Sequence, residues 1–346
     1  MTRHYCTYFD HHYMPYGLAM VESLLRWEPD AIVWVLCLDE ATQRFLRTLS
    51  APIVRTISLS ELEEHDPELA RTRANRSRVE YIFTLSPCLP RFLFQRYPDI
   101  RLLTYVDADF YFFASPEPVF EELGTGSVLI TPHDFPPWLE DLNRTGRYNV
   151  GVLSFRRNSE AMSCLEWWRD RCLEWCYDKV EPGRYADQKY LDEWPHRFSS
   201  VRVCGHPGVN AAPWNWMNRR WSRHDGQLLV NGLPLVAFHF SSLRRRSRRR
   251  VDPHQLTYGV MPFRLRNRLY RPYLEAVDCW TDKASEQLAL QTREQPVQRF
   301  TRSRLRSLLA EVLFGAVWTR HASYWFAWSL GLGRWSARVL RRFGAT

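Results

Sequence analysis

Leu102-Leu103-Thr104-Tyr105-Val106-Asp107-Ala108-Asp109 is the stretch on which the reading of this chain turns, and Phe110-Tyr111-Phe112-Phe113 follows it at once. A short apolar run of this kind reads as a buried parallel strand. Two carboxylates immediately after it lie at the strand's carboxyl end, where open α/β sheets bind their ligands. Oxygen donors one residue apart can both meet one Mg²⁺ or Mn²⁺, whose octahedral shell also accepts water and phosphate oxygens. The tripeptide alone is unspecific and equally describes a solvated acidic turn. Its position directly after a strand favours the metal reading.

Toward the N-terminus the pattern repeats. Residues 5–9 read as a first strand, Asp10, His11 and His12 as a polar turn, and 16–27 as a helix. A second strand over 32–38, a helix over 40–49 and a third strand over 53–59 follow. Ser60 is expected to open a helix over 61–71, with Glu63 at capping-box spacing. This β-α-β-α-β series predicts a mostly parallel sheet flanked by helices, with right-handed crossovers. A long helix over 77–97 is expected to be interrupted near Pro87 and Pro90. Beyond the two carboxylates, 128–131 and 150–155 read as strands, separated by a Pro-containing loop with His133, Asp134, Asn143 and Arg147. A Trp-rich helix over 160–177, a short helix over 187–194 and a loop over 201–221 lead to a late strand, 235–240, that contains His239 near its end.

The 346 residues are enough to bury a large core, and the 45% hydrophobic content is that of a globular chain. Fifteen Trp suit carbohydrate-stacking surfaces or a bulky core. The net charge of +9 is concentrated late, in Arg244-Arg245-Arg246, Arg248-Arg249-Arg250 and residues 293–306. That asymmetry points to phosphate, nucleic acid or an anionic membrane surface. No recognition-helix, zinc-finger or RNA-binding signature accompanies it, so nucleic acid is not expected. The eight cysteines form no C-x-x-C pair and read as buried free thiols; Cys172 and Cys176, one helical turn apart, read as structural. The N-terminal residues lack the apolar stretch of a signal peptide, which makes the cytoplasm the expected compartment. Past residue 264 the sheet pattern stops. Leu305, Leu308, Leu309, Val312, Leu313, Ala316 and Val317 recur at helical spacing, and Trp325, Phe326, Trp328 and Trp335 lie among Arg320, Arg338, Arg341 and Arg342. This basic, aromatic extension either attaches at the membrane interface or packs on the sheet as a helical hairpin. The expected organisation is a core over 1–243, a basic linker over 244–263 and a helical extension over 264–346.

Four features in order give a resemblance. Thr104-Tyr105-Val106-Asp107-Ala108-Asp109, Tyr148-Asn149-Val150-Gly151-Val152-Leu153, Asp187-Gln188 and His239-Phe240 resemble the GT-A nucleotide-sugar glycosyltransferases, most closely the glycogenin-like and bacterial galactosyltransferase-like group, over residues 3–243. The resemblance implies a Rossmann-like GT-A fold and a cation held by Asp107, Asp109 and His239. A borderline imidazole beside carboxylates favours Mn²⁺ over Mg²⁺, and the ion would stabilise charge on the leaving diphosphate. A lone strand-end histidine is otherwise an ordinary core residue. The resemblance also implies donor contacts from Tyr8, Asp10, Arg78, Glu80, Ala108 and Asn149, a reaction centre at Asp134, Asp187 and Gln188, and retention of anomeric configuration. Gly151 lets backbone approach the ligand. Asn210, Trp214 and Trp216 are the acceptor-site candidates, with core packing as the competing role for the Trp residues. The group's usual glycine three residues after the histidine is Ser242 here, and its Lys-Pro-Trp is replaced by the arginine cluster, so Arg244 or a neighbour is expected to close on the phosphates.

The function these readings imply is metal-dependent transfer of a hexose from a nucleotide diphosphate sugar, a UDP-sugar first, to a glycan or lipid-linked acceptor, with the basic extension at the inner face of a membrane. A glycosidase is disfavoured because Asp107 and Asp109 are too close together to flank a sugar as acid and base. The alternative is a non-catalytic module that binds a nucleotide sugar or a membrane surface.

Overall fold

The computed structural model describes residues 2–49, 53–248, 250–253 and 258–288. Its strands are β1 (His4–Phe9), β2 (Ile32–Cys37), β3 (Val54–Ser58), β4 (Leu102–Val106), β5 (Phe110–Phe112), β6 (Val128–Pro132), β7 (Tyr148–Arg156), β8 (Val201–Val203), β9 (Trp221–His224), β10 (Gln227–Val230), β11 (Leu233–Pro234), β12 (Ala237–His239), β13 (Arg244–Ser247) and β14 (Arg250–Asp252). Seven of them form one sheet in the order β3-β2-β1-β4-β7-β6-β8. The pairs among β3, β2, β1 and β4 are parallel, as is β6 with β8. Only β7 runs against its neighbours. The α/β expectation therefore holds, with one antiparallel strand inserted beside β4.

The helices are α1 (Met14–Leu25), α2 (Glu40–Thr48), α3 (Leu59–His65), α4 (Pro67–Thr72), α5 (Arg78–Arg96), α6 (Glu117–Leu123), α7 (Ser159–Glu174), α8 (Trp194–Arg197) and α9 (Phe263–Leu288). On one face of the sheet Leu85, Leu89 and Phe92 of α5 join Leu165 and Trp168 of α7 in a buried cluster with Cys6, Leu103 and Leu153. On the other, Leu18 and Val21 of α1 and Phe45 of α2 pack with Val33, Val35 and Val106. A third cluster joins Phe238 and Phe240 to Leu269, Tyr270, Tyr273 and Leu274 of α9.

Local chemistry departs from the sequence reading at three places. The cap of α3 is Ser58, whose side chain accepts from the Glu61 backbone, and not Ser60; Asp66 then caps a separate α4 with Pro67 in its first turn. Pro87 and Pro90 lie inside a continuous α5. Each removes a helical hydrogen bond at a cost of about 3 kcal/mol, but the surrounding Leu85, Leu89, Phe92 and Leu93 are all buried, each worth about 1.5–3 kcal/mol. Finally, the region after residue 221 forms a three-stranded meander closed by Asp225-Gly226 and Asn231-Gly232, all four at positive φ, the turn chemistry of two-residue hairpins.

No described helix is long and apolar enough to cross a membrane. The amphipathic expectation for 305–342 falls outside the described residues.

One buried ion pair ties α4 to α7. Arg169 donates from Nε and Nη2 to the two oxygens of Asp66, both at 2.6 Å, and the next residue back, Trp168, donates from Nε1 to the Asp187 carbonyl at 2.8 Å. Burial alone would raise the Asp66 carboxyl, but the Arg169 hydrogen bonds outweigh it and hold it below its ordinary value. A lowered folded-state value means the contribution is present above the unfolded carboxyl range and is lost as pH falls through the depressed value. Asp66→Ala is expected to cost about 3–5 kcal/mol, read as a fall in melting temperature at neutral pH that narrows in acid.

Candidate metal and donor site

The two carboxylates arise where β4 ends and the chain turns into β5. The Asp107 backbone N–H donates to the Gly151 carbonyl at 2.9 Å, and Tyr105 donates from its hydroxyl to Asp107 Oδ1 at 2.6 Å. β5 then pairs antiparallel with β12, with His239 opposite Phe110. The Phe240 N–H donates to the Asp109 carbonyl at 2.8 Å, fixing the register from the other side. As a result His239 Nε2 lies 3.0 Å from Asp109 Oδ1 and 3.7 Å from Asp107 Oδ2. Phe110 stacks on the imidazole at 4.3 Å, and Trp214 meets it edge-on at 5.2 Å. Ala108 is buried between the two aspartates.

One ligand atom from each of Asp107, Asp109 and His239 falls within 4.8 Å of the others, the single such group among the described residues. Two carboxylate oxygens and an imidazole nitrogen are a donor set for a hard or borderline divalent ion. Their electrostatics agree. Desolvation raises the Asp107 carboxyl, and the like charge of Asp109 adds to this against the pull of His239. For His239 burial disfavours the charged ring, but Asp109 and Asp107 outweigh it and raise its value. An excess of negative charge is what a cation would relieve.

Asp187 lies close enough to Asp107 for their charges to interact. It is buried, at 6% exposure, and burial, with the Asp107 charge adding to it and a Ser86 hydrogen bond opposing, pushes its carboxyl up to about 7. Ser86 also meets the Tyr8 hydroxyl at 2.9 Å, and the Tyr8 ring packs on Tyr105 at 5.6 Å. A run of hydroxyls thus links Asp187 with Asp107. Ala186, just before Asp187, is held at a φ of +45°, a conformation that costs a non-glycine residue free energy and that collects at functional sites. Gln188 donates from its amide to the Thr145 carbonyl at 3.0 Å.

The remaining expected residues divide. Asn149 and Asn210 are buried together: Asn210 Nδ2 donates to Asn149 Oδ1 at 3.4 Å, and Asn149 Oδ1 also accepts from the Gly151 N–H at 3.0 Å. Asp134 has a φ of +54°; its carbonyl accepts from Asn218 at 2.8 Å, and its carboxylate faces Arg219 at 3.5 Å. Trp214 is a buried clamp that donates to the His133 carbonyl at 2.8 Å, while Trp216 is half-buried. Glu80 is spent on the α5 capping box and on the Asp178 N–H. Arg78 pairs with Asp10, a ligand-side position after β1. Arg244 is exposed on β13, and its neighbour Arg245 is committed to Asp278 of α9. Ser242, which stands where the resemblance expects glycine, takes a φ of +64° in the turn closed by Leu243 N–H to the Phe240 carbonyl.

Two aromatic residues escaped the sequence reading. Tyr8 faces inward, whereas Tyr13, 40% exposed at the start of α1, has Asp10 at its backbone and Asp109 and Asp107 within electrostatic range of its hydroxyl. The signal was its place as the first aromatic after the β1 turn. The other, Tyr273, lies on α9, beyond the region of resemblance.

The layout is the GT-A arrangement. Galactosyltransferase LgtC, solved in complex with donor and acceptor sugar analogs, matches 84% of this chain and 98% of its own, with a TM-score of 0.50 and 16% identity, a likeness in fold. No family model matches the chain. Among curated proteins, YfnF of Bacillus subtilis (strain 168) is 33% identical over 272 residues, 76% of this chain and 89% of YfnF. YfnD of the same organism is 29% identical over 269 residues, 77% of this chain and 86% of YfnD. The chain belongs to the YfnF family, whose named members are themselves uncharacterized.

Gly151 tests the site's construction. A Cβ there would meet Asn149 Oδ1 at 2.5 Å, Phe110 at 2.7 Å and His239 Cε1 at 3.0 Å, so only a bare backbone lets β7 approach the imidazole. Gly151→Ala is expected to cost about 1–3 kcal/mol from overpacking and, by displacing His239, to weaken Mn²⁺ binding about 10–100-fold. Thermal melting and Mn²⁺ titration check the two effects.

Proposed function

We propose that the protein is a divalent-metal-dependent glycosyltransferase that moves a hexose from a nucleotide diphosphate sugar, a UDP-sugar first, to a glycan or lipid-linked acceptor. The observation that carries the reading is the convergence of Asp107, Asp109 and His239 at the carboxyl end of β4. Breaking a sugar to diphosphate bond leaves charge on the departing phosphate, and a cation in that donor set, Mn²⁺ or Mg²⁺, supplies Lewis-acid stabilisation of it.

The chain's own residues take the other roles. Tyr13 stacks on the base beside Asp10, which is itself oriented by Arg78. Asp187, Gln188 and Asn149 face the sugar from the β4 and β7 side, and Asp134, Asn210 and Trp216 border the acceptor. The buried Asp187 and its neighbour Gln188 give the face of the sugar opposite the leaving group only weak nucleophiles, consistent with the retaining outcome that the Asp187-Gln188 match implies. Attachment to an anionic membrane rests on the arginine- and tryptophan-rich sequence after residue 289.

Calorimetric titration with UDP- and GDP-sugars, with and without Mn²⁺, tests the reading on wild type and Asp109→Ala. Mn²⁺-dependent binding of one donor, lost in the variant, is the expected result. Binding with no sugar transfer over a broad acceptor panel would leave a nucleotide-sugar-binding module, and no nucleotide binding under any metal condition would remove the reading.

A further inference from the structure

α9 brings one buried hydroxyl to the metal end of the sheet. Tyr273 is fully buried, and its ring lies flat on Phe240 at 3.9 Å and edge-on to Tyr111 at 5.9 Å. Phe240 directly follows the metal-site histidine, and Tyr111 lies two residues past Asp109 in the strand that pairs with it. Among the described residues the Tyr273 hydroxyl finds no hydrogen-bond partner. Phenylalanine would fill the same space without that unsatisfied group, so packing alone does not account for tyrosine at this position.

What surrounds the hydroxyl indicates where it points. After burial, the groups that raise its value are Asp109, Tyr13, Tyr16 and Tyr270, with Asp109 the largest. Three of the four are tyrosines, whose hydroxyls could donate or accept, but none is within hydrogen-bond distance of the Tyr273 hydroxyl. The fourth already has His239 at 3.0 Å. The hydroxyl is thus left with a proton to donate and no acceptor among the described residues.

We infer that the Tyr273 hydroxyl is a donor-binding group that hydrogen-bonds an oxygen of the diphosphate when the metal and nucleotide occupy the site. The inference rests on the donor reading above and extends it to a helix outside the region of resemblance. It makes α9 part of the nucleotide site as well as a cover over α1 and β12. A phenol held by ring contacts with Phe240, Tyr111 and Tyr16 loses little entropy in making that bond, and a hydrogen bond to a charged oxygen is among the stronger kinds.

Tyr273→Phe distinguishes a ligand-binding hydroxyl from one that serves the fold, because only the second predicts a loss of stability in the ligand-free protein. The expected result is an unchanged or higher melting temperature without ligand, since an unsatisfied buried hydroxyl is removed, together with about 10–100-fold weaker UDP binding in saturating Mn²⁺. Mn²⁺ affinity without nucleotide is expected to stay at the wild-type value. UDP affinity within threefold of wild type would overturn the inference while leaving the donor reading intact. A melting temperature and UDP affinity that fall together would overturn it as well, by showing that the hydroxyl serves the fold. If wild-type protein binds no UDP with Mn²⁺, the donor reading fails and this inference fails with it.

Discussion

The site depends on a short pairing between two distant pieces of chain. β5 and β12 contribute three residue pairs, and their register alone sets His239 beside the Asp109 carboxylate. Because side chains alternate along a strand, a slip of one residue would turn the imidazole to the opposite face. The Phe240 N–H to Asp109 carbonyl bond, the Phe110 stack and the Trp214 edge contact each oppose such a slip. Gly151 makes the arrangement sterically feasible by removing the one Cβ that would strike the ring. Three chain segments are therefore constrained so that three ligand atoms meet.

The same region holds its unfavourable terms together. Asp107, Asp109 and Asp187 place three carboxylates around the end of β4, and two of them are raised by burial and mutual repulsion. Among the described residues the non-glycine positions at positive φ are Asp134, Ala186, Asp225, Asn231 and Ser242. Asp225 and Asn231 belong to ordinary hairpin turns, but the other three border the site. Strain and uncompensated charge are tolerated there because the sheet, the two packed faces and the Asp66 to Arg169 anchor overdetermine the backbone. A cation held by Asp107, Asp109 and His239 would relieve the charge.

Much of this was legible in the sequence because its causes are local. The apolar runs of β1, β2, β3 and β4 and their intervening helices followed from periodicity, and the two carboxylates after β4 pointed to the ligand end of the sheet. His239 became a metal candidate only through its order relative to the other three motifs, since nothing in its immediate neighbourhood states that β12 will pair with β5. Tyr13 was not singled out, because sequence does not show which ring near the β1 turn stays exposed. The Ser58 cap was missed for Ser60 by two residues, a boundary decided by backbone geometry at the end of β3. Asp225-Gly226 and Asn231-Gly232 were readable turn signals that went unused. Tyr273 could not have been found: its relation to Asp109 exists only through the packing of α9.

The central claim is that Asp107, Asp109 and His239 form one divalent-cation site made by the β5 to β12 register. Crystals soaked in Mn²⁺ and UDP, measured for anomalous scattering at the manganese edge, test it most directly. The account predicts a single strong peak within coordination distance of all three side chains. A peak elsewhere, or one bound by the aspartates with His239 turned away, would contradict it.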